Sequence, residues 1–105
     1  MKLSRASDNT LRLYNVYNFP NPFSNNTQFC FEVTNNVRLK IDIYSLGGRK
    51  VWSYLNENIN SGYHSIEWNG KNFFNSEIAN GVYLYKIEAF GNNSKTSYIG
   101  KCAKY

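Results

Sequence analysis

The chain reads as all-β, a single Ig-like antiparallel β-sandwich of about seven strands, and three observations carry that reading. Apolar and polar residues alternate with period two: His64, Ile66 and Trp68 against Tyr63, Ser65 and Glu67, then Tyr83, Tyr85, Ile87 and Ala89 against Leu84, Lys86 and Glu88. Aromatic residues make up 17% of the 105, and no apolar stripe at helical spacing competes with that alternation. Turn residues (Asn35-Asn36, Gly47-Gly48, Asn69-Gly70, Asn80-Gly81) separate the alternating runs at hairpin spacing. A small closed barrel is the structural alternative.

Residues 1 to 10 are polar and without period, which suits a linker or an expression remnant ahead of a domain spanning 11–105. The start carries charge but no apolar h-region, so it is no signal peptide, and an export signal would lie upstream. Leu11, Leu13, Tyr14, Val16 and Tyr17 form a first short strand. In Asn18-Phe19-Pro20-Asn21-Pro22-Phe23, two prolines without N–H groups end or bend an edge strand, with Phe19 and Phe23 as candidate plugs at the sandwich end.

Ser24 to Asn26 turn into a strand from Thr27 to Val33, with Phe29, Phe31 and Val33 inward and Gln28, Cys30 and Glu32 outward. Val37 to Tyr44 is the cleanest strand: Val37, Leu39, Ile41 and Ile43 face the core, and Arg38, Lys40, Asp42 and Tyr44 face water. Gly47-Gly48 reverse the chain into a strand at Lys50, Val51 and Trp52, and 56–61 read as an Asn-rich loop. Gly62 to Trp68 and the run from Gly81 are then two strands meeting across a shared core. Gly81 supplies a positive φ, and Tyr83 is placed to bury its ring and return its hydroxyl to backbone, as in a tyrosine corner. The 69–80 loop folds partly onto the core through Phe73, Phe74 and Ile78. Ser94 to Tyr105 make a last strand whose inner face is either Tyr98, Gly100 and Cys102 or Ile99, Lys101 and Ala103. The expected core centres on Ile41, Ile43, Trp68, Tyr83, Tyr85 and Ile87.

The formal charge is +5, from 12 Lys and Arg against 7 Asp and Glu. Arg38, Lys40, Arg49, Lys50, Lys71, Lys86, Lys95, Lys101 and Lys104 are scattered over several elements, which reads as a solubilising surface that blunts sheet edges. No recognition helix or RNP-like motif argues for nucleic acid, and no run of about 18 apolar residues spans a membrane. Cys30 and Cys102 are too distant in sequence for a metal or redox pair, and two free thiols fit better than a disulfide. With His64 alone and Asp42, Glu67, Glu77 and Glu88 dispersed, no catalytic constellation forms, and no cofactor is expected. Two binding readings remain: an exposed stacking surface of Trp52, Tyr54, Phe73 and Phe74 for carbohydrate, and a weaker calcium site in the 69–80 loop. A phosphate-cradling reading of Gly47-Gly48-Arg49-Lys50 lacks the helix that such chemistry requires.

Four stretches in order, Asn18-Phe19-Pro20-Asn21-Pro22-Phe23, Ile43-Tyr44-Ser45-Leu46-Gly47-Gly48-Arg49-Lys50-Val51, Gly62 to Gly70 and Asn80-Gly81-Val82-Tyr83, resemble the C-terminal sorting domains of type IX secretion cargo. They are also similar to the Ig-like module of the flagellar hook-capping protein, but the Pro-Asn-Pro-Phe opening favours the secretion family. Asn69 stands where Asp is commoner, and Cys102 and Ala103 are smaller than the apolar residues usual in the ending. The resemblance implies a non-catalytic domain behind a larger cargo, recognised in the periplasm by the outer-membrane translocon and delivered to the bacterial surface or beyond. There a gingipain-like sortase commonly removes it. The stretch from Tyr14 to Phe31 looks particularly like the end of gingipain-like peptidases themselves. Carried over from the family, the recognition residues are Pro20, Asn21, Pro22, Phe23, Gly47, Gly48, Arg49, Gly81, Tyr83, Gly100, Lys101 and Lys104. The expected mode is strand addition at the last strand of a monomer, with Lys101 and Lys104 adding charge complementarity. An accessory binding module or a hook-capping module is the alternative.

Overall fold

The structure, a computed structural model, describes residues 10–105. All but the last residue of the expected polar lead-in, 1 to 10, therefore lie outside the described residues. Seven strands follow in order: β1 (Leu13–Phe19), β2 (Thr27–Val33), β3 (Val37–Ser45), β4 (Lys50–Ile59), β5 (Gly62–Trp68), β6 (Gly81–Phe90) and β7 (Lys95–Lys104). They make two antiparallel sheets, β1-β2-β5 and β4-β3-β6-β7. The fold is thus an all-β sandwich, with β5 and β6 on opposite sides of the core.

Alternation decides what is buried. Phe29, Phe31 and Val33 of one sheet meet Leu39, Ile41, Ile43, Tyr85, Ile87 and Ala89 of the other, all buried, and Trp68 is fully enclosed between them. Full burial of each large side chain is worth about 1.5–3 kcal/mol. In β7 the inner face is that of Tyr98, Gly100 and Cys102, because Cys102 is enclosed while Ile99 is 62% exposed. Gly100 sits opposite Tyr85 in register, and a Cβ there would lie 2.5 Å from the ring. The glycine leaves room for an aromatic ring to lie across the inner surface of the sheet.

Five expectations need correction. The first strand runs to Phe19 rather than Tyr17, and Phe19, paired with Gln28 on the outer face, is exposed; only Phe23 is a plug. The Asn-rich 56–61 segment belongs to β4 as far as Ile59, whose pairing with Val37 across a register shift buries the isoleucine. That burial outweighs the weak strand preference of asparagine. Asp42 and Glu88, expected to face water, are buried on an outer face. The ammonium groups of Lys40 and Lys50 lie 3.6 and 3.4 Å from Asp42, which also accepts from Ser53 Oγ, and those of Lys86 and Lys95 lie 3.6 and 3.5 Å from Glu88. Cys30 also points outward yet is covered, its Sγ 3.8 Å from Ser65 Oγ. Finally, Trp52, Tyr54, Phe73 and Phe74 form no common platform. Trp52 and Tyr54 pack on the core, Trp52 with its ring centroid 5.7 Å from Trp68, whereas Phe73 and Phe74 stand in solvent on the 69–80 loop.

A candidate recognition site at one pole of the sandwich

Antiparallel order brings the ends of β1, β3, β5 and β7 and the starts of β2, β4 and β6 to the same pole. The residues linking them are the Pro-Asn-Pro-Phe segment, the Gly47-Gly48 hairpin and the 69–80 loop. Of the twelve recognition candidates, all but Gly100 and Lys101 belong to this pole, and those two lie just below it on β7.

The segment from Pro20 to Phe23 is fixed at both ends. Thr27 Oγ1 donates to Pro20 O at 2.8 Å, and the buried Asn18 side chain donates to Thr27 Oγ1 at 3.2 Å. Both Phe19-Pro20 and Asn21-Pro22 peptide bonds are cis. Phe23 is enclosed, its ring centroid 5.5 Å from that of Trp68. Between the prolines, Asn21 lies along the open edge of β7: its Nδ2 donates to Lys101 O at 3.2 Å and its Oδ1 accepts the Ala103 N–H at 3.0 Å. Backbone continues the pairing, with Phe23 N–H donating to Ala103 O at 2.9 Å and Tyr105 N–H to Phe23 O at 3.0 Å, a parallel bridge to Lys104. Prolines cannot donate to a ladder, so the donors here come from the Asn21 amide and the Phe23 backbone.

Strand addition at the far end of β7 is therefore already satisfied from within the domain. Among the described residues, 95–100 of that edge have no strand partner. Lys104 also departs from expectation: on the inner side of β7 it is buried, with its ammonium 4.0 Å from Glu77 of the 69–80 loop. It closes the loop over the pole instead of projecting charge outward; Lys101 alone of the pair is exposed.

The loop is tied down at each end. Gly70, at φ +74°, packs where a Cβ would lie 2.8 Å from Asn25 O, and Trp68 Nε1 donates to Lys71 O at 2.9 Å. At the other end Tyr83 donates its hydroxyl to Ala79 O at 2.7 Å with its ring buried, the geometry of a tyrosine corner. Gly81 precedes it at φ +146°. The Gly47-Gly48 hairpin closes with Ser45 N–H donating to Arg49 O at 2.9 Å and Gly48 at φ +94°. Between hairpin and loop lies a shallow depression of about 380 Å³ lined by Ser45, Arg49, Val51, Asn72, Glu77 and Tyr83 among others.

The titratable groups are those of a packed structural end. Burial pushes the Cys102 thiol up to about 12 and raises the Tyr83 phenol, so neither is a ready nucleophile. Both cysteines are free thiols. His64 is bound at Nε2 to Asn60 O at 2.7 Å and stacks on Phe31, and among the described residues it pairs with no carboxylate or thiol.

The family profile described as the secretion system C-terminal sorting domain matches residues 16–101. The chain belongs to that family. Among solved structures, the sorting domain is similar to part of dimeric latent PorU from Porphyromonas gingivalis, at 23% identity with a TM-score of 0.73. That match covers 85% of this chain and 9% of PorU. A second similarity is to PorZ, a surface component of the type-IX secretion system of the same organism. There the identity is 21% and the TM-score 0.58, over 87% of this chain and 11% of PorZ. At these identities the likeness is one of fold. A comparison with curated proteins gave no match. As a member of that family the chain is a non-catalytic accessory that directs a cargo through type IX secretion, to the cell surface or the extracellular space.

Sequence reasoning found the separate stretches of this pole but not their docking. The signal was present in Asn21, a side chain with both a donor and an acceptor set between two residues that have no N–H.

Proposed function

We propose that the secretion machinery reads the sorting domain at this pole, as a rigid composite of Asn21, Pro22, the exposed end of β7 and the Gly47-Gly48-Arg49 hairpin. The observation that supports it is the pairing of Asn21 with Lys101 and Ala103, which makes two family stretches about eighty residues apart in sequence into one surface. Recognition then uses shape and side chains, since at the far end of β7 Asn21 and Phe23 already take up Lys101 O, Ala103 N–H and Ala103 O. In this reading the domain spans 11–105, consistent with the burial of Leu11 at the opposite pole. It follows a larger cargo, is read as a monomer by the outer-membrane translocon after periplasmic transit, and is then either removed by a sortase or retained, as in gingipain-like peptidases. The cargo in this reading is a gingipain-like cysteine peptidase.

The test is a fusion of the full chain behind a periplasmically exported fluorescent protein in a bacterium with a type IX system. Surface fluorescence is expected with the native chain, and periplasmic retention when residues 98–105 are deleted. Since that deletion also cuts β7, Arg49→Gln and Lys101→Gln serve as variants with an intact fold. Export unchanged by both would remove the pole as the element read.

A further inference from the structure

The outer face of the four-stranded sheet gathers half of the chain's cationic side chains. Register places Leu55, Lys40, Glu88 and Ser97 in one row across the sheet, Ser53, Asp42, Lys86 and Ile99 in the next, and Tyr44, Leu84 and Lys101 beyond it. Arg38, Phe90 and Lys95 form the row on the other side. Lys50 reaches over the same face, its Nζ 3.4 Å from Asp42 and 5.8 Å from the Tyr44 ring centroid. Six cations against three carboxylates, counting the exposed Glu57 that lines one depression with Arg38 and Phe90, leave this face three positive charges in excess.

Among the described residues nothing uses that excess. Asp42 has lysine ammonium groups at 3.6 and 3.4 Å and Glu88 at 3.6 and 3.5 Å, so each carboxylate is held by two cations where one would balance it. Among the described residues Arg38 and Lys101 pair with no carboxylate, and Arg38 lies 4.4 Å over the Phe90 ring. The face is also more than charged. Ile99 is 62% and Leu55 50% exposed between the lysines. The two stand on the outer strands, β4 and β7, with the cations between them, and a hydrated anionic polymer has no group to set against either. An acidic protein surface bearing apolar side chains satisfies both.

We propose that the outer face of β4-β3-β6-β7 is a docking surface for an acidic, partly apolar protein surface, with electrostatics guiding encounter and Leu55 and Ile99 giving contact. The inference deepens the sorting reading by naming the chemistry of a partner, but its surface chemistry is tested without export.

The full chain is titrated at low salt with a glutamate–tyrosine copolymer, poly-L-glutamate and dextran sulfate of matched charge. The face variant carries Arg38→Gln, Lys40→Gln, Lys95→Gln and Lys101→Gln, which leaves each buried carboxylate one lysine. The control carries Lys2→Gln, Arg5→Gln, Arg12→Gln and Lys71→Gln, the same loss of charge taken from positions in the sequence outside the four strands. Expected are tightest binding to the copolymer, weakening with salt, a loss of about ten-fold or more in the face variant and less than about two-fold in the control. Ile99→Ser, which keeps every charge, is expected to weaken the copolymer and leave poly-L-glutamate unchanged. Equal losses in face variant and control would overturn the proposal, as would an Ile99→Ser variant indistinguishable from wild type. Dextran sulfate bound as tightly as the copolymer would reassign the face to anionic glycans. A chain that binds the copolymer through this face yet exports no cargo would sink the sorting reading and leave the face standing.

Discussion

Asn21 Oδ1 accepts the N–H of Ala103 at 3.0 Å, so one amide side chain occupies the place on the β7 edge that a neighbouring strand would take. Its Nδ2 donates to Lys101 O two residues back, and the two contacts together mimic one rung of a ladder. An exposed edge invites pairing with other chains. Here the edge is closed where the family stretches converge, and the partner meets side chains and a fixed outline instead.

Replacing Asn21 with alanine removes both contacts, together with the bond from Nδ2 to Asn18 Oδ1 at 3.1 Å, and leaves the Ala103 N–H to solvent. At about 0.5–1.5 kcal/mol for each of the three hydrogen bonds, Asn21→Ala should cost on the order of 2–4 kcal/mol in chemical denaturation. The amide of Ala103 should exchange faster with solvent deuterium, while amides of β3 keep their protection. Unchanged exchange at Ala103 would show that the edge is not closed by this side chain.

Most of the architecture was legible because period two is a direct image of a sheet with one wet face: β2, β3 and β5 start where the alternation starts, and the inward set Val37, Leu39, Ile41 and Ile43 is buried as expected. What failed to show were relations between strands. Asn56 to Ile59 look like loop until Val37 is known to lie opposite Ile59. Asp42 looks wet until Lys40 and Lys50 are seen to cover it. The pole was legible as four stretches and illegible as one site, since nothing local in Pro20 to Phe23 specifies which edge it covers.

The tyrosine corner gives a smaller and cleaner test. The Tyr83 hydroxyl donates to Ala79 O at 2.7 Å and holds the end of the 69–80 loop against β6. Tyr83→Phe keeps the ring and should lower stability by about 1 kcal/mol, with Ala79 O left without its donor. Equal melting temperatures for the two proteins would mean that the corner adds nothing.

Gly100 is where the sheet has no tolerance for a methyl group. The Cβ of an alanine would lie 2.5 Å from Tyr85 Cζ and 2.6 Å from its hydroxyl oxygen, and that ring is itself packed at 4.8 Å centroid distance against Phe29. Gly100→Ala should therefore destabilise by about 1–3 kcal/mol through overpacking. The double variant with Tyr85→Leu should recover part of the loss, as a double-mutant cycle would reveal. A cycle with no coupling would place the strain elsewhere.

The last prediction concerns Cys102, which is enclosed and whose thiol burial pushes up to about 12. Unfolded, the same thiol titrates near about 8.5. Between those values the unfolded chain sheds a proton that the folded chain keeps, so the unfolded state is favoured increasingly as pH rises. The stabilising difference is whole below about pH 8.5 and is lost as pH climbs towards 12. Denaturation midpoints should thus be level from pH 6 to 8 and fall above pH 9, and Cys102→Ala should flatten the first part of that fall. Tyr83, also raised by burial, contributes only above its ordinary range near pH 10. The same enclosure makes Cys102 unreactive in the native state, so a thiol reagent at pH 8 should modify it only after denaturant is added. Rapid native labelling of Cys102, or a midpoint independent of pH up to 11, would contradict the packing of β7 on which the pole depends.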